Sequence, residues 1–167
     1  MKKIYLMAAL LVAGFVFTVS CKKAVAAEAP ESKPEFDMIA AKTEIQTQNE
    51  AFMVALNNSN ALGLANCYAK DAKFMQPNGE AVSGRENIQK LFTEWFKKGP
   101  MPTFSMKDVD MWGDENALVV ENEWTFTGKD GKEVDRGKSL ELWQKEDGKW
   151  KLYRDCYNSD LPLAGAK

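Results

Sequence analysis

Carboxylate side chains are the groups in this sequence best suited to acid–base chemistry. The chain contains no histidine, the side chain used most often as a general base near neutral pH. A general base would therefore have to be an Asp or a Glu. Asp155 is the first candidate, because it follows Arg154 near the end of a predicted strand, and Asp108 is the second, provided that a bulge turns it inward.

Strict β-alternation divides the last predicted strand into two faces. Arg154 and Asn158 share a face with Trp150, whereas Asp155 shares the opposite face with two tyrosines. The first face changes from apolar to polar along the strand, which is typical of a strand that runs from a core into the mouth of a pocket. We therefore expect Arg154 and Asn158 to point inward. Asp155 would face outward, where it could stabilise a dimer interface, unless a β-bulge turns it into the pocket.

The same alternation on the preceding strands, with Leu140 and Leu142 on the interior face, extends the predicted pocket. Its side chains are cationic, amide-bearing or aromatic: Asn122, Trp124, Arg136, Lys138, Arg154 and Asn158, with Tyr68 either near the mouth or packed beneath the strands. Such a lining suits a carboxylate or another anionic or polar ligand better than it suits proton abstraction. The alternative is an Arg–Asp pair that only closes the end of the pocket.

Composition excludes several classes of function. With 22 basic and 24 acidic residues and a net charge of -2, the chain is not a strongly basic nucleic-acid binder. The absence of histidine and the presence of only three scattered cysteines argue against a zinc site, so we expect neither a metal nor a cofactor. Cys67 and Cys156 each lie in an apolar pattern, which favours two buried free thiols over a disulfide.

The first residues have the pattern of a secretory signal. Lys2 and Lys3 precede an apolar run that reaches Val19 and is too short to span a bilayer as a typical helix. The ending Val19-Ser20-Cys21 resembles a bacterial lipobox, in which Cys21 would be lipidated, although Thr18 departs from that pattern. We expect a lipoprotein anchored on the periplasmic side of a bacterial membrane, with ordinary secretion as the alternative.

The domain organisation follows from these patterns. We predict a signal peptide at 1–20, a lipidated cysteine with a flexible tether at 21–35, one folded domain at 36–161 and a short tail at 162–167. The tether is rich in Ala, Glu, Lys and Pro and has no periodicity, which is typical of a solvated linker.

Hydrophobic periodicity indicates an α+β architecture. Two helices, a short strand and a third helix are predicted at 36–58, at 61–68, at 71–75 and from a capping box that begins at Ser83. Long strands follow, and Asp147-Gly148 forms the turn of the last hairpin. Helices that precede a run of antiparallel strands predict a sheet with helices on one face.

The order of these segments resembles a known family. Tyr68-Ala69-Lys70-Asp71-Ala72, Pro77-Asn78-Gly79 and Ser83-Gly84-Arg85-Glu86-Asn87-Ile88 precede an ending with Asp147-Gly148-Lys149-Trp150 and Arg154-Asp155. Together they look like the SnoaL-like branch of the nuclear transport factor 2-like superfamily, over about residues 38–160, and most like its members of unassigned function. The resemblance implies a curved antiparallel sheet that forms a cone around a long N-terminal helix, a cystatin-like α+β barrel with a pocket at its open end. It also implies frequent dimerisation through the outer sheet face.

The resemblance does not imply one activity, since this superfamily includes ketosteroid isomerases, polyketide cyclases, dehydratases and members that only bind or assemble. Our first hypothesis is an exported domain that binds a small polar or anionic molecule, as a homodimer. The second is an acid–base enzyme that uses Asp155 or Asp108 as its base. A third is an assembly module that uses the face carrying Tyr153 and Tyr157.

Overall fold

The computed structural model of the chain describes residues 35–162. In this range the elements are α1 (Met38–Asn57), α2 (Ala61–Ala65), β1 (Tyr68–Met75), β2 (Val82–Ser83), α3 (Arg85–Lys97), β3 (Thr103–Gly113), β4 (Leu118–Thr127), β5 (Glu133–Glu146) and β6 (Lys149–Ser159). The predicted signal peptide, Cys21 and nearly all of the tether lie outside the described residues, as does the tail beyond residue 162. None of the helices between residues 35 and 162 is long and apolar enough to cross a membrane.

The six strands form one curved sheet that does not close. Their order is β2-β1-β6-β5-β4-β3, and every neighbouring pair is antiparallel except β1 and β6, which are parallel. Helix α1 packs against β3 and β6. The predicted α+β fold, with a curved sheet and a long N-terminal helix, is confirmed. The parallel pairing of β1 and β6 was not predicted, because the sequence pattern of a single strand does not reveal its partner.

The core lies between the concave sheet face and the helices. Ile45 and Leu56 of α1 are buried at helical spacing, and Ile88 of α3 is fully buried beneath the same sheet. Trp143 and Trp150 are completely buried on the last hairpin. Burial of each such side chain stabilises the fold by about 1.5–3 kcal/mol, so these positions fix which faces of the strands point inward.

Helix boundaries follow local hydrogen bonds. Asp37 caps α1 through Oδ1, which accepts from two backbone N–H groups, and Asn60 caps α2 through Oδ1, which accepts from the Gly63 backbone N–H. The predicted capping box at Ser83 is wrong. Ser83 pairs with Lys73 in the sheet, and Gly84, at φ 87°, is the residue that precedes α3. The N-cap of α3 is therefore one residue later than the capping box predicted, and it makes no side-chain hydrogen bond.

A β-bulge in the last hairpin determines which side chains of β6 face the candidate site. Its turn has positive φ at Asp147 (51°) and Gly148 (76°), as predicted for an Asp-Gly hairpin. Farther along, Trp143 pairs with Leu152, whereas the preceding Leu142 pairs with Arg154. Tyr153 is therefore the extra residue of a β-bulge, which shifts the alternation of β6 by one position. The inner face of β6 changes from even-numbered to odd-numbered residues at this point.

The inner face of β5 is also odd-numbered. Ser139, Glu141 and Trp143 are buried, whereas the Leu140 side chain between them is 53% exposed. The expectation that Leu140 and Leu142 face the interior is wrong. The fully buried Trp143 determines this register, because its partners Leu118 and Leu152 are core residues as well.

Candidate functional site

A cavity of about 210 Å³ lies between the concave face of the sheet and the helices. Most of its lining is aromatic or otherwise apolar, from Phe52, Leu56, Phe74, Phe92, Trp95, Met101, Phe104, Met106, Trp124 and Phe126. The polar lining consists of Asp135, Ser139, Asp155 and Tyr157. Because an apolar cavity of about 150 Å³ can hold benzene, this cavity is large enough for a molecule of one or two rings.

Asp155 is a buried carboxylate at the wall of this cavity. The bulge at Tyr153 turns its side chain inward, where it is 5% exposed. The Tyr68 hydroxyl, from a fully buried side chain on β1, donates a hydrogen bond to Asp155 Oδ2 at 2.6 Å. Burial raises the pKa of Asp155 to about 6, although the Tyr68 hydrogen bond acts in the opposite direction. Asp155 is thus a stronger base than an exposed carboxylate and is still ionised at neutral pH.

Tyr68 stays protonated at neutral pH and remains a hydrogen-bond donor there. Its pKa is raised well above the ordinary value, chiefly by burial and then by the charge of Asp155. The phenol therefore orients the carboxylate without becoming charged itself. Tyr68 is not one of the cavity-lining side chains; it lies behind the wall, where it contacts the lining residues Asp155, Phe52 and Phe74.

Glu141 is a second buried carboxyl group beside Asp155. The two residues are direct partners across β5 and β6, and Glu141 is 4% exposed. Its Oε2 accepts from Trp143 Nε1 at 3.0 Å, and its Oε1 lies 3.3 Å from Ser139 Oγ. Burial, followed by the negative charge of Asp155, raises the pKa of Glu141 to about 8. At neutral pH this carboxyl group is therefore largely protonated.

Asn122 and Ser139 connect Glu141 to the cavity wall. Asn122 Nδ2 lies 3.3 Å from Ser139 Oγ, and the two residues are partners across β4 and β5. Asn122 is fully buried, and its Oδ1 has no hydrogen-bond partner among the described residues. Trp124 Nε1, on the next inward position of β4, likewise lacks a partner within residues 35–162. Two buried polar groups thus remain available near the cavity.

Asp108 lies near this network and does not line the cavity. A bulge between Asp108 and Asp110 interrupts β3, as the second general-base hypothesis requires. Asn49 of α1 donates to Asp108 Oδ1 at 2.9 Å, whereas Oδ2 is buried without a partner in the described part of the chain. Asn49, a buried polar residue on the apolar stripe of α1, is thereby explained. Asp155 is the better placed of the two predicted bases.

The predicted cationic lining is wrong. Arg136, Lys138 and Asn158 are exposed on the outer face of the sheet. Arg136 pairs with Glu133 at 2.9 Å, and Lys138 pairs with Asp160. The reason is the register: the inner face of β5 is odd-numbered, and the bulge in β6 reverses the alternation on which the prediction rested.

Arg154 also lies outside the cavity. Its guanidinium packs 3.6 Å from the ring centre of Tyr153 and donates to the Tyr153 carbonyl at 2.7 Å. Tyr157, in contrast, faces the cavity and stacks on Phe74 with ring centres 5.5 Å apart. Tyr153 and Tyr157 therefore do not share one outer face, and the assembly surface predicted from them is wrong.

Sequence reasoning missed Glu141, Ser139 and Asp135. All three share the odd-numbered face of β5 with Trp143. The signal was present in Trp143 itself, since an indole buries more apolar area than either of the two leucines beside it. Of the predicted pocket residues, the structure places Trp124 in the cavity wall and Asn122 and Tyr68 behind it.

The cysteines and possible metal ligands add no further chemistry. Cys67 is buried and Cys156 is exposed, and both are free thiols. The prediction of burial therefore fails for Cys156, because the shifted alternation of β6 turns it outward. Burial raises the pKa of Cys67 to about 11, which leaves this thiol unreactive. Between residues 35 and 162 no group of three or more His, Cys, Asp or Glu side chains could hold a metal ion.

The fold and this site define a class of protein. A family model described as a SnoaL-like domain matches residues 49–153, and the chain belongs to that family. None of the curated protein sequences matches the chain.

Solved structures with the same fold are distant in sequence. A protein of unknown function with a cystatin-like fold from Nostoc punctiforme is 17% identical, with a TM-score of 0.69, and the match covers 78% of this chain and 98% of that one. A ketosteroid isomerase-like protein from Erwinia carotovora atroseptica is 19% identical, with a TM-score of 0.60 and coverage of 72% and 96%. A protein of unknown function from Mycobacterium tuberculosis is 17% identical, with a TM-score of 0.60 and coverage of 74% and 73%. At these identities the likeness shows the fold alone.

Proposed function

We propose that this SnoaL-like domain binds a small, mainly apolar carbonyl compound in its cavity and transfers a proton at the carbon beside the carbonyl, with Asp155 as the general base. The observation that carries the proposal is the position of Asp155, a buried carboxylate at the wall of a mainly apolar cavity that is rich in aromatic side chains. Its pKa of about 6 lies near the operating pH, which favours general-base catalysis.

The lining of the cavity supports a neutral ligand over an anionic one. Among the described residues, its charged members are the carboxylates Asp135 and Asp155, and the rest of its lining is apolar apart from the hydroxyl groups of Ser139 and Tyr157. An anion would be desolvated beside negative charges without a cation to compensate. A flat ring system would instead pack against the rings of Phe74, Phe92 and Trp124 and place one polar substituent near Asp155.

Tyr68 supports the catalytic role over a structural role for Asp155. A carboxylate that only filled a gap in the core would be stabilised by several donors, whereas Tyr68 supplies the hydrogen bond to Asp155 Oδ2 from behind the cavity wall. That arrangement fixes the carboxylate and leaves it beside the cavity, as a base that approaches a substrate requires.

Exchange of α-protons tests the proposal without knowledge of the natural substrate. α-Tetralone, a neutral bicyclic ketone, would be incubated in deuterated buffer with the full chain, and loss of its α-proton signals would be followed by NMR. We expect saturable acceleration by the wild-type protein and a loss of about 100-fold or more in Asp155→Asn, the range of general-base contributions. Asp160→Asn, at an exposed position, is the matched control and should retain full activity.

A binding domain without chemistry is the second candidate, and the aromatic lining of the cavity favours it. In that case α-tetralone would bind saturably to wild type and to Asp155→Asn, and neither protein would accelerate exchange. Absence of saturable binding by both proteins would contradict both functions.

We also propose, from the sequence, that the chain is exported and anchored through lipidated Cys21. Labelled palmitate should be incorporated into the wild-type chain when it is expressed in a bacterium, and incorporation should be lost in Cys21→Ser. Incorporation that survives this substitution would contradict the anchor, and processing without incorporation would indicate secretion instead.

Homodimerisation through the outer sheet face is a further proposal. Leu140 and Trp112 are 53% and 45% exposed on that face, which leaves apolar area for a partner. Sedimentation should give a dimer for wild type and a monomer for Leu140→Glu. A monomeric wild-type protein at high concentration would exclude this interface.

A further inference from the structure

The buried groups behind the cavity wall determine the direction in which the Ser139 hydroxyl points. Trp143 Nε1 can only donate a hydrogen bond, and it lies 3.0 Å from Glu141 Oε2. That oxygen must therefore accept. When Glu141 holds a proton, the proton is on Oε1, the oxygen that lies 3.3 Å from Ser139 Oγ.

A protonated Glu141 then donates to Ser139. Asn122, whose side chain also hydrogen-bonds Glu141, donates through Nδ2 to the same Ser139 oxygen at 3.3 Å. A serine hydroxyl accepts two hydrogen bonds and donates one. With both acceptor positions occupied, its hydrogen must point elsewhere, and Ser139 is a residue that lines the cavity.

We propose that Ser139 is a ligand-binding residue that donates a hydrogen bond to the carbonyl oxygen of the bound ligand, and that Glu141 is the positioning residue that directs this hydroxyl into the cavity by holding a proton. This inference rests on the proposed function and adds the donor that a base beside a carbonyl requires. When Glu141 ionises, its carboxylate accepts the Ser139 hydrogen, and the ligand loses its donor.

The ionisation of Glu141 can be observed separately from the ionisation of its neighbours, because their pKa values differ. The titratable groups near Glu141 and the cavity are Asp155 and Tyr157 on β6, Tyr68 at the start of β1 with Cys67 just before it, Asp108 on β3 and Asp135 on β5. Helix α1 carries Glu44, whose Oε1 accepts from the Trp150 backbone N–H. Asp155 titrates at about 6, whereas Cys67 and Tyr157 titrate at about 11 and about 12 and Tyr68 lies higher than usual. Glu141, at about 8, falls between these two sets.

Two variants separate the role of the hydroxyl from that of the proton. In Glu141→Gln the amide oxygen must accept from Trp143, so the amide N–H₂ faces Ser139 and donates at every pH. In Ser139→Ala the donor is absent at every pH. Glu123→Gln, an exposed position on β4, is the control for loss of one carboxylate.

Binding of α-tetralone to the full chain, measured by calorimetry from about pH 7 to about pH 10, tests the inference. One lost hydrogen bond corresponds to about fivefold in Kd. We expect Kd to rise about fivefold with pH for wild type and Glu123→Gln, to stay low for Glu141→Gln, and to stay about fivefold higher for Ser139→Ala. Tetralin, which lacks the oxygen, should bind equally to all four proteins at every pH.

The indole N–H resonance of Trp143 gives a second readout without ligand. It should titrate with an inflection above that of Asp155 in wild type, and this inflection should be absent from Glu141→Gln. The inference would be overturned if ketone binding followed the same pH dependence in wild type and in Glu141→Gln. It would also be overturned if the Trp143 resonance stayed constant over this pH range. Neither result would affect the role of Asp155. Loss of α-proton exchange with normal pH-dependent binding would instead contradict the proposed function alone. Absence of any saturable ketone binding would overturn both.

Discussion

Glu141 and Asp155 are directly opposite each other on neighbouring antiparallel strands, and both side chains are buried. Two carboxylates at this spacing in a poorly solvated interior cannot both ionise without a large energetic penalty, so their titrations are coupled. The Tyr68 hydrogen bond favours the charge on Asp155. The pair therefore carries one negative charge near neutral pH, held at the cavity wall.

The pH dependence of stability should reveal Glu141. Its pKa in the folded protein, about 8, is raised above the ordinary value of 4.5, so between these values the native state binds a proton that the unfolded state has released. Stability should therefore fall as pH rises through this window, by up to about 1.4 kcal/mol per pH unit. Urea unfolding of wild type and Glu141→Gln should show this loss in wild type and a smaller slope in the variant.

Comparing wild type with Glu141→Gln removes the contributions of the other titrating groups to the pH dependence of stability. Asp155 contributes a similar loss of stability as the pH rises from its ordinary pKa to about 6. Glu146 instead increases stability as the pH rises, because its pKa is lowered by the Lys70 backbone N–H and by Arg85. Both are present in wild type and variant. Equal slopes above about pH 6 in the two proteins would show that Glu141 is ionised in the folded state, contrary to this account.

Tyr68→Phe should raise the pKa of Asp155 further, because it removes the hydrogen bond that favours the carboxylate. At neutral pH the loss of a bond to a charged group should cost about 1.5–3 kcal/mol of unfolding free energy. The carboxyl carbon resonance of Asp155, followed by NMR against pH, measures the shift. Tyr153→Phe is the matched control, since Tyr153 contacts Arg154 on the other side of the strand, and a fall in the Asp155 pKa in Tyr68→Phe would refute the assigned role.

Gly137→Ala should strongly destabilise the fold at the rim of the cavity. A Cβ at this position would lie 1.9 Å from the carbonyl oxygen of Asn158 and 2.4 Å from Cζ2 of Trp124. Neither the β6 backbone nor the packed indole can move away easily, so we expect a loss of about 3 kcal/mol or more in unfolding free energy. Ser105→Ala, at an exposed position on β3, should change stability by less than about 0.5 kcal/mol. A Gly137→Ala protein as stable as this control would contradict the close packing of β5, β6 and Trp124.

Lys138→Ala should leave ligand binding unchanged. Its ammonium group pairs with Asp160 on the outer face, where the two side chains are 56% and 37% exposed. Exposed ion pairs of this kind contribute about 0–1 kcal/mol. The Kd for α-tetralone should stay within about twofold of wild type. A tenfold loss would mean that the cationic side chains reach the ligand after all.

The general fold could be predicted from the sequence because its signals are local. Apolar spacing defined α1 and α3, Asp147-Gly148 defined the last turn, and alternation gave the correct inner face of β4, with Asn122 and Trp124. The site could not be predicted in the same way, because it depends on one unpaired residue. The bulge at Tyr153 moves Asp155 inward and Arg154 outward, and a bulge is a property of two paired strands rather than of one.

The second error was the assignment of the inner face of β5, although the sequence contained a signal for the correct face. Leu140 and Leu142 suggested one inner face and Trp143 the other, and the larger buried area of the indole decides between them. With β5 shifted, the acidic and hydroxyl side chains of that strand replace the cationic ones at the cavity wall.

The most direct measurement of the central claim is the pH–rate profile of α-tetralone deuterium exchange in wild type and in Asp155→Asn. If Asp155 is the general base, the wild-type rate should rise with pH and level off above about 6, the pKa of that carboxyl group. The Asp155→Asn protein should bind the ketone and accelerate its exchange about 100-fold less or not at all. A variant that binds the ketone and exchanges its α-protons as fast as wild type would contradict the account.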